Sequence, residues 1–417
     1  MKVRIIAVAA MLSMILTGCS FSEAAQPGEP WTGDSIVHQA QTSEAKLPIQ
    51  SEAPGHLSVA DEITDQHQRE RRIESYAEPP AGPPPIPKAR PKVKGIYVSG
   101  WAASTSKLDQ LIELVNQTEL NAMVIDMKND SGQITYDSSL PIVHQLEADS
   151  KHMIHDIKRL ISTLNEHHIY TIARIAVFKD PYAAVRKPEW AIRTKGGALW
   201  KDAKGTSWVD PYHPEVCTYA IELAKEAADL GFDEIQFDYV RFPDNGSKVD
   251  REAVFQNPNG WSKSAAVQRF LKQAKQELAA KGVYVSADVF GLTTSVTGDM
   301  GIGQTWEDIS SEIDVISPMV YPSHYGDGVF GIKNPDLQPY VTVQKALADG
   351  LKKNEALTRA RKSAASIRPW LQDFTATWLK PHKTYGSEDV QAQVQAAKEL
   401  GIDEYLLWNS KCTYTFR

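Results

Sequence analysis

Cysteine is scarce in this chain, three in 417 residues, and none of the three sits in a CxxC or Cys/His pattern. That excludes a disulfide-stapled scaffold and removes the usual spacing of a zinc site. A basic excess is lacking as well. Lys and Arg number 45 against 52 Asp and Glu, a net charge of −7, so there is no electrostatic footprint for a nucleic-acid partner. No GxSxG supplies a serine nucleophile, and no HExxH supplies a metal-bound water. Beyond the first residues no apolar run is long enough to cross a bilayer. No cofactor and no metal is expected.

The chain opens Met1-Lys2-Val3-Arg4, followed by an apolar run from Ile5 to Leu16 that is too short to span a membrane and reads as an export signal. It ends Leu16-Thr17-Gly18-Cys19, which resembles the bacterial lipobox. The resemblance implies cleavage before Cys19 and a lipid on its thiol. Residues 1–19 are therefore expected to be a lipoprotein signal peptide, and the mature chain to sit lipid-anchored on the extracytoplasmic face of the cell membrane. Residues 20–92 hold few apolar side chains and end in a run of prolines from Pro79 to Pro87, the composition of a disordered tether with a semi-rigid spacer. Residues 93–417 remain for one folded domain. Whether Cys217 and Cys412 pair depends on a separation that sequence does not give.

In that domain short β-branched runs alternate with amphipathic helical patterns. The strand candidates are 95–101, 122–128, 170–178, 234–242, 284–290, 315–321, 367–374 and 404–408. Helical periodicity fills 107–118, 153–167, 214–230, 262–281, 305–312, 339–353 and 387–400. Eight strands separated by seven helices is the α/β pattern of a (β/α)8 TIM barrel. The chain stops soon after the eighth run, so the last outer helix is expected to be absent or replaced.

In such a barrel the carboxyl ends of the strands form the active-site floor. Alternation puts Gln236 and Asp238 on one face of Glu234-Ile235-Gln236-Phe237-Asp238, opposite Phe237, with Arg241 just beyond. Acids also end the second strand (Asp126, with Lys128 two residues on), the fifth (Asp288) and the seventh (Asp373). Asp126 and Lys128 could pair with each other or meet a substrate, and Arg174, inward by parity, could neutralise one of the acids. Acids gathered on one rim repel one another and persist only if paired or functional. Flat side chains crowd the same end: Trp101, Trp208, Tyr321, His324 and Trp408 are candidate substrate contacts, since aromatic faces pack against the apolar faces of sugar rings. Glycoside hydrolysis needs one carboxyl to protonate the leaving oxygen and another to attack the sugar or activate water. Asp238 and Asp288, on neighbouring strands, are the expected catalytic pair, with Asp373 as a third acid or clamp.

Four segments then carry a resemblance: Lys94 to Trp101, Val124 to Gly132, Gln236 to Pro243 and Ser286 to Gly291. In that order they resemble the putative glycoside hydrolase family of bacterial TIM-barrel proteins known as DUF4015. The resemblance implies a barrel related to amylase-like and galactosidase-like enzymes, in which the acid ending the fourth strand is usually the nucleophile. The reading is a membrane-anchored extracytoplasmic glycoside hydrolase acting on a cell-wall or extracellular polysaccharide. Its alternative is a non-catalytic polysaccharide-binding barrel lipoprotein. No interface stripe appears, so a monomer is expected.

Overall fold

The computed structural model describes residues 89–417. The expected signal peptide with Cys19, and all but the last four residues of the expected tether, lie outside the described residues. Eight parallel strands follow in order: β1 (Lys94–Val98), β2 (Ala122–Lys128), β3 (Tyr170–Ala176), β4 (Glu234–Asp238), β5 (Tyr284–Phe290), β6 (Val315–Met319), β7 in two pieces (Ser366–Ile367 and Trp370–Gln372) and β8 (Tyr405–Trp408). One main helix lies in each interval between them: α1 (Lys107–Gln117), α2 (Ile157–Glu166), α3 (Pro214–Leu230), α4 (Lys263–Ala279), α5 (Trp306–Ser310), α6 (Pro339–Arg359) and α7 (Ser387–Lys398), with three further short helices, Pro141–Leu146, Pro181–Arg186 and Gly246–Glu252, in the loops. Each strand pairs with the next, β8 pairs with β1, and the sheet closes on itself. This is a (β/α)8 TIM barrel.

Local chemistry explains the elements. Asp156 and Ser262 accept the backbone N–H groups of Arg159 (2.9 Å) and Ala265 (3.1 Å), capping α2 and α4 at their first turns. Pro214 starts α3, and Gly231 ends it with φ +101, a conformation that costs glycine nothing. β2 and β4 are buried on both faces along their whole length, as strands of a parallel sheet flanked by helices must be. Phe237 packs outward, edge-on to Phe270 of α4 at 5.1 Å. The opposite parity therefore sends Glu234, Gln236 and Asp238 into the barrel.

β7 is broken at Pro369, which has no N–H to give a sheet ladder. Its first piece pairs with β6, and its second pairs with β8 and meets β6 only through Trp370 opposite Met319. After β8, residues 409–417 form no helix, and Phe416 folds back to bury against Tyr405. Among the described residues no helix is long and apolar enough to cross a membrane.

Deep in the barrel, on the side where β4 begins, lies one matched ion pair. The Arg368 guanidinium donates to both oxygens of Glu234, Nη1 at 3.1 Å, and both side chains are fully buried. Ser286 Oγ (2.5 Å) and Tyr170 Oη (3.2 Å) donate to the same carboxylate. Burial pushes the Glu234 carboxyl up, but the Arg368 charge and these donors outweigh it and leave it below its ordinary value.

Candidate active site

At the other end of the barrel Arg174 of β3 stands between two acids. In register it lies opposite Asp126 of β2 on one side and Gln236 of β4 on the other, one step below Asp238. Its Nη1 donates to Asp126 Oδ1, while Nε (3.0 Å) and Nη2 share Asp238 Oδ2. Burial works against the guanidinium charge, but the two carboxylates outweigh it and keep Arg174 firmly protonated. Tyr97 of β1 donates its hydroxyl to Asp126 Oδ2 at 2.5 Å, and burial together with the charge of Asp126 fixes that phenol in its neutral form. Burial still leaves the Asp126 carboxyl above its usual value, despite Arg174.

Asp238 Oδ1 accepts the N–H of Tyr239 at 2.6 Å. Tyr239 itself adopts φ +49, a left-handed conformation that strains a bulky residue by about 1–3 kcal/mol. Strain of this kind, stored directly after a strand-end carboxylate, is a mark of a site held in one geometry.

Asp288 completes the set. Phe237 pairs with Ala287, so the next residues along β4 and β5 are Asp238 and Asp288, side by side on the inner face. Trp370 of β7 donates Nε1 to Asp288 Oδ1 at 2.8 Å. Burial is the first cause, and the negative charge of Asp238 the second, that push the Asp288 carboxyl well above the ordinary range. Arg174 thus pairs with two of the three acids, and Asp288, the one it does not touch, is pushed well upward. The arrangement sets an arginine-paired carboxyl beside one that burial and its neighbour push upward, on adjacent strands, and acid–base cleavage of an acetal needs two carboxyls in different environments.

The remaining expected residues divide by where the backbone sends them. Trp408 stays at the mouth, its ring 4.2 Å from Tyr97 and edge-on to Trp370 at 5.5 Å, with the Arg174 guanidinium 5.5 Å from its face. Trp101 stands at the rim, 49% exposed. Tyr321 and His324 join a ring cluster with Phe374 over β6 and β7. Burial lowers the His324 imidazole to about 4, so it is neutral at pH 7. Gln236 is buried below the acids, 3.4 Å from Ser317 Oγ, and its Oε1 meets no donor.

Four residues are not where alternation alone puts them. Lys128 does not face Asp126, because a register shift between Asp126 and Lys128 turns it away. It pairs instead with Asp180 at 2.8 Å and with the Ala176 carbonyl at 2.6 Å. Asp373 does not reach the other acids. Its oxygens accept Thr415 Oγ1 (2.7 Å) and the N–H groups of Thr415 and Phe416, tying down the segment after β8. Trp208 is buried in its loop, donating to Asp202 at 3.0 Å. Arg241 is buried too, bonded to Asp244 at 2.7 Å and packed among Trp208, Tyr239 and Phe290. Cys217 and Cys412 are both free thiols.

Tyr97, Tyr239 and Trp370, which shape the site, were legible only in part. The parity of β1 and β7 would have turned Tyr97 and Trp370 inward, whereas nothing in the sequence announces the left-handed turn at Tyr239. Among the described residues no group of three or more His, Cys, Asp or Glu side chains is arranged to hold a metal ion.

Comparison with known proteins agrees with the barrel fold. The family model described as "Putative glycosyl hydrolase domain" matches residues 95–414. Among solved structures, a hypothetical protein from Ruminiclostridium thermocellum is 38% identical, covering 46% of this chain and 97% of its own, with a TM-score of 0.42. The PgaB (BpsB) glycoside hydrolase domain from Bordetella bronchiseptica is 14% identical over 77% of this chain and 95% of its own, with a TM-score of 0.55, a likeness of fold. The α-galactosidase TtGalA from Thermus thermophilus is 13% identical over 79% of this chain and 60% of its own, with a TM-score of 0.48. No curated protein matches the chain.

Proposed function

The chain belongs to the putative glycosyl hydrolase domain family, and from that premise we propose a glycoside hydrolase in which Asp288 is the general acid and Asp238 the nucleophile or base. One observation carries the assignment: Arg174 binds Asp126 and Asp238 but not Asp288, and burial together with the charge of Asp238 pushes the Asp288 carboxyl well above the ordinary range, which favours the proton a general acid must hold. Asp288 gives that proton to the leaving oxygen as the glycosidic C–O bond breaks. Asp238 either takes the anomeric carbon directly or removes a proton from the water that does. Tyr97 and Asp126 act through Arg174, fixing its fork so that Asp238 is aimed at the sugar.

The substrate we propose is a cell-wall or extracellular polysaccharide, and the place of action the outer face of the cell membrane, with a lipid on Cys19. Support for the location comes from the basic start, the short apolar run and the Leu16-Thr17-Gly18-Cys19 ending. One observation favours the non-catalytic alternative, a sugar-binding barrel: Asp288 is only 1% exposed and Asp238 7%.

The deciding experiment measures release of reducing ends from wall and storage glycans by the full chain and by Asp238→Asn and Asp288→Asn. Loss of a general acid or base costs about 10²–10⁴-fold in kcat, and a proton NMR time course of the product anomer separates retention from inversion. Binding without turnover, or turnover indifferent to both substitutions, would put the alternative in its place.

A further inference from the structure

Two tryptophans among the described residues are more than a third exposed, Trp101 at 49% and Trp378 at 38%. Both stand on the carboxyl rim. Trp101 follows β1 and Trp378 follows β7, and the only strand between them, β8, ends in Trp408. On the other flank of Trp378 the rim continues with Tyr321 and His324 of the loop after β6. Flat side chains therefore stand at the ends of four successive strands, β6, β7, β8 and β1, on the same rim as the acids of β4 and β5.

The Trp378 end of this arc is built as a platform. Phe374 lies nearly parallel beneath Trp378, 6.1 Å between centroids with a 23° tilt. His324 stands edge-on to both rings at 87°, and Tyr321 stands edge-on to Phe374 and to His324. Backbone N–H groups bonded to side-chain oxygens hold the loop carrying Trp378 and the one beside it. Lys383 N donates to Asp336 Oδ2 at 2.9 Å, Tyr385 N to Thr375 Oγ1 at 3.0 Å, and Ser323 N to Gln372 Oε1 at 3.0 Å. An exposed indole normally loses little by collapsing onto a neighbour, but this one is held open by the rings and loops under it. A rigid, apolar, solvent-facing ring beside a polar mouth suits a ligand with one flat C–H face and hydroxyl edges, which is a pyranose.

Resting on the glycosidase reading, we infer that Trp378 and Trp101 are outlying stacking sites for sugar units beyond the unit at the acids. The substrate is then an oligosaccharide or polysaccharide chain laid across the mouth, not a single glycosyl unit.

The test is a titration of the full chain, carrying Asp288→Asn to stop turnover, with cello-, malto- and chito-oligosaccharides of two and six units. Affinity for at least one six-unit glycan should exceed that for its two-unit counterpart. Trp378→Ala should remove roughly five- to tenfold of that gain, the worth of about one aromatic stack, and Trp378→Phe should restore part of it. Circular dichroism of each variant verifies the fold. Equal affinity for two and six units, a gain untouched by Trp378→Ala, or no binding at all would overturn the inference. Length-dependent binding in a parent chain that cleaves nothing would uphold the inference and sink the hydrolase reading.

Discussion

Two arginines are buried inside this barrel, and they keep different company. Arg368 meets one acid, Glu234, and each neutralises the other with no exposure to water. Arg174, at the mouth, meets Asp126 and Asp238 while Asp288 stands close by unpaired. The matched pair fixes the barrel from within. The unmatched set leaves one carboxyl without a counterion of its own, pushed up by burial and by Asp238, and this surplus of acid over base marks where chemistry is to be sought.

The largest effect that would break the comparison lies at the matched pair. Glu234→Gln strands a buried guanidinium, which should lower the unfolding free energy by about 3–5 kcal/mol in denaturant titrations at neutral pH. Because the folded Glu234 value is depressed, its contribution is present above the unfolded value and is lost as pH falls through the folded one. The deficit of the variant should therefore shrink in acid.

Asp288 should behave with the opposite sign. Its folded value is raised, so the parent chain is penalised as pH climbs from the ordinary carboxylate range through that raised value. Asp288→Asn should match the parent near pH 4 and overtake it at higher pH, by about 1.4 kcal/mol for each pH unit over which only the folded chain holds the proton. A variant less stable than the parent across that whole range would mean that Asp288 serves packing, like Glu234. The smallest effect tests an acid that left the set. Thr415→Val, removing the hydroxyl bonded to Asp373, should cost about 1 kcal/mol in melting experiments and leave kcat/KM at the parent value. A fall in kcat/KM there would return Asp373 to the catalytic group.

Much of this was readable from sequence, and the exceptions have physical reasons. Alternation with a period of two located the strands and sent Asp126, Arg174, Asp238 and Asp288 inward, because a parallel strand buried on both sides leaves a polar residue no other direction that serves. The same rule misplaced Lys128, since a shift of register after Asp126 reverses the faces and leaves no trace in composition. Asp373 sits just past its strand, where parity lapses and the nearest donors, Thr415 and Phe416, took its oxygens. Trp208 was assigned to the substrate on ring chemistry alone, and a large ring in a long loop is as readily buried by the loop itself. The Glu234–Arg368 pair joins residues 134 apart in the chain, a partnership that only closure of the barrel creates.

The interruption at Pro369 ties these two regions together. Within a few residues β7 carries Arg368, which answers Glu234, and Trp370, which steadies Asp288, and a single residue pair closes the seam with β6 above the gap. If that seam parts, the counterion leaves below and the donor above in one movement. Loosening at this seam would therefore loosen the inner ion pair and the proposed acid together, tying the stability of the barrel to the integrity of the candidate site.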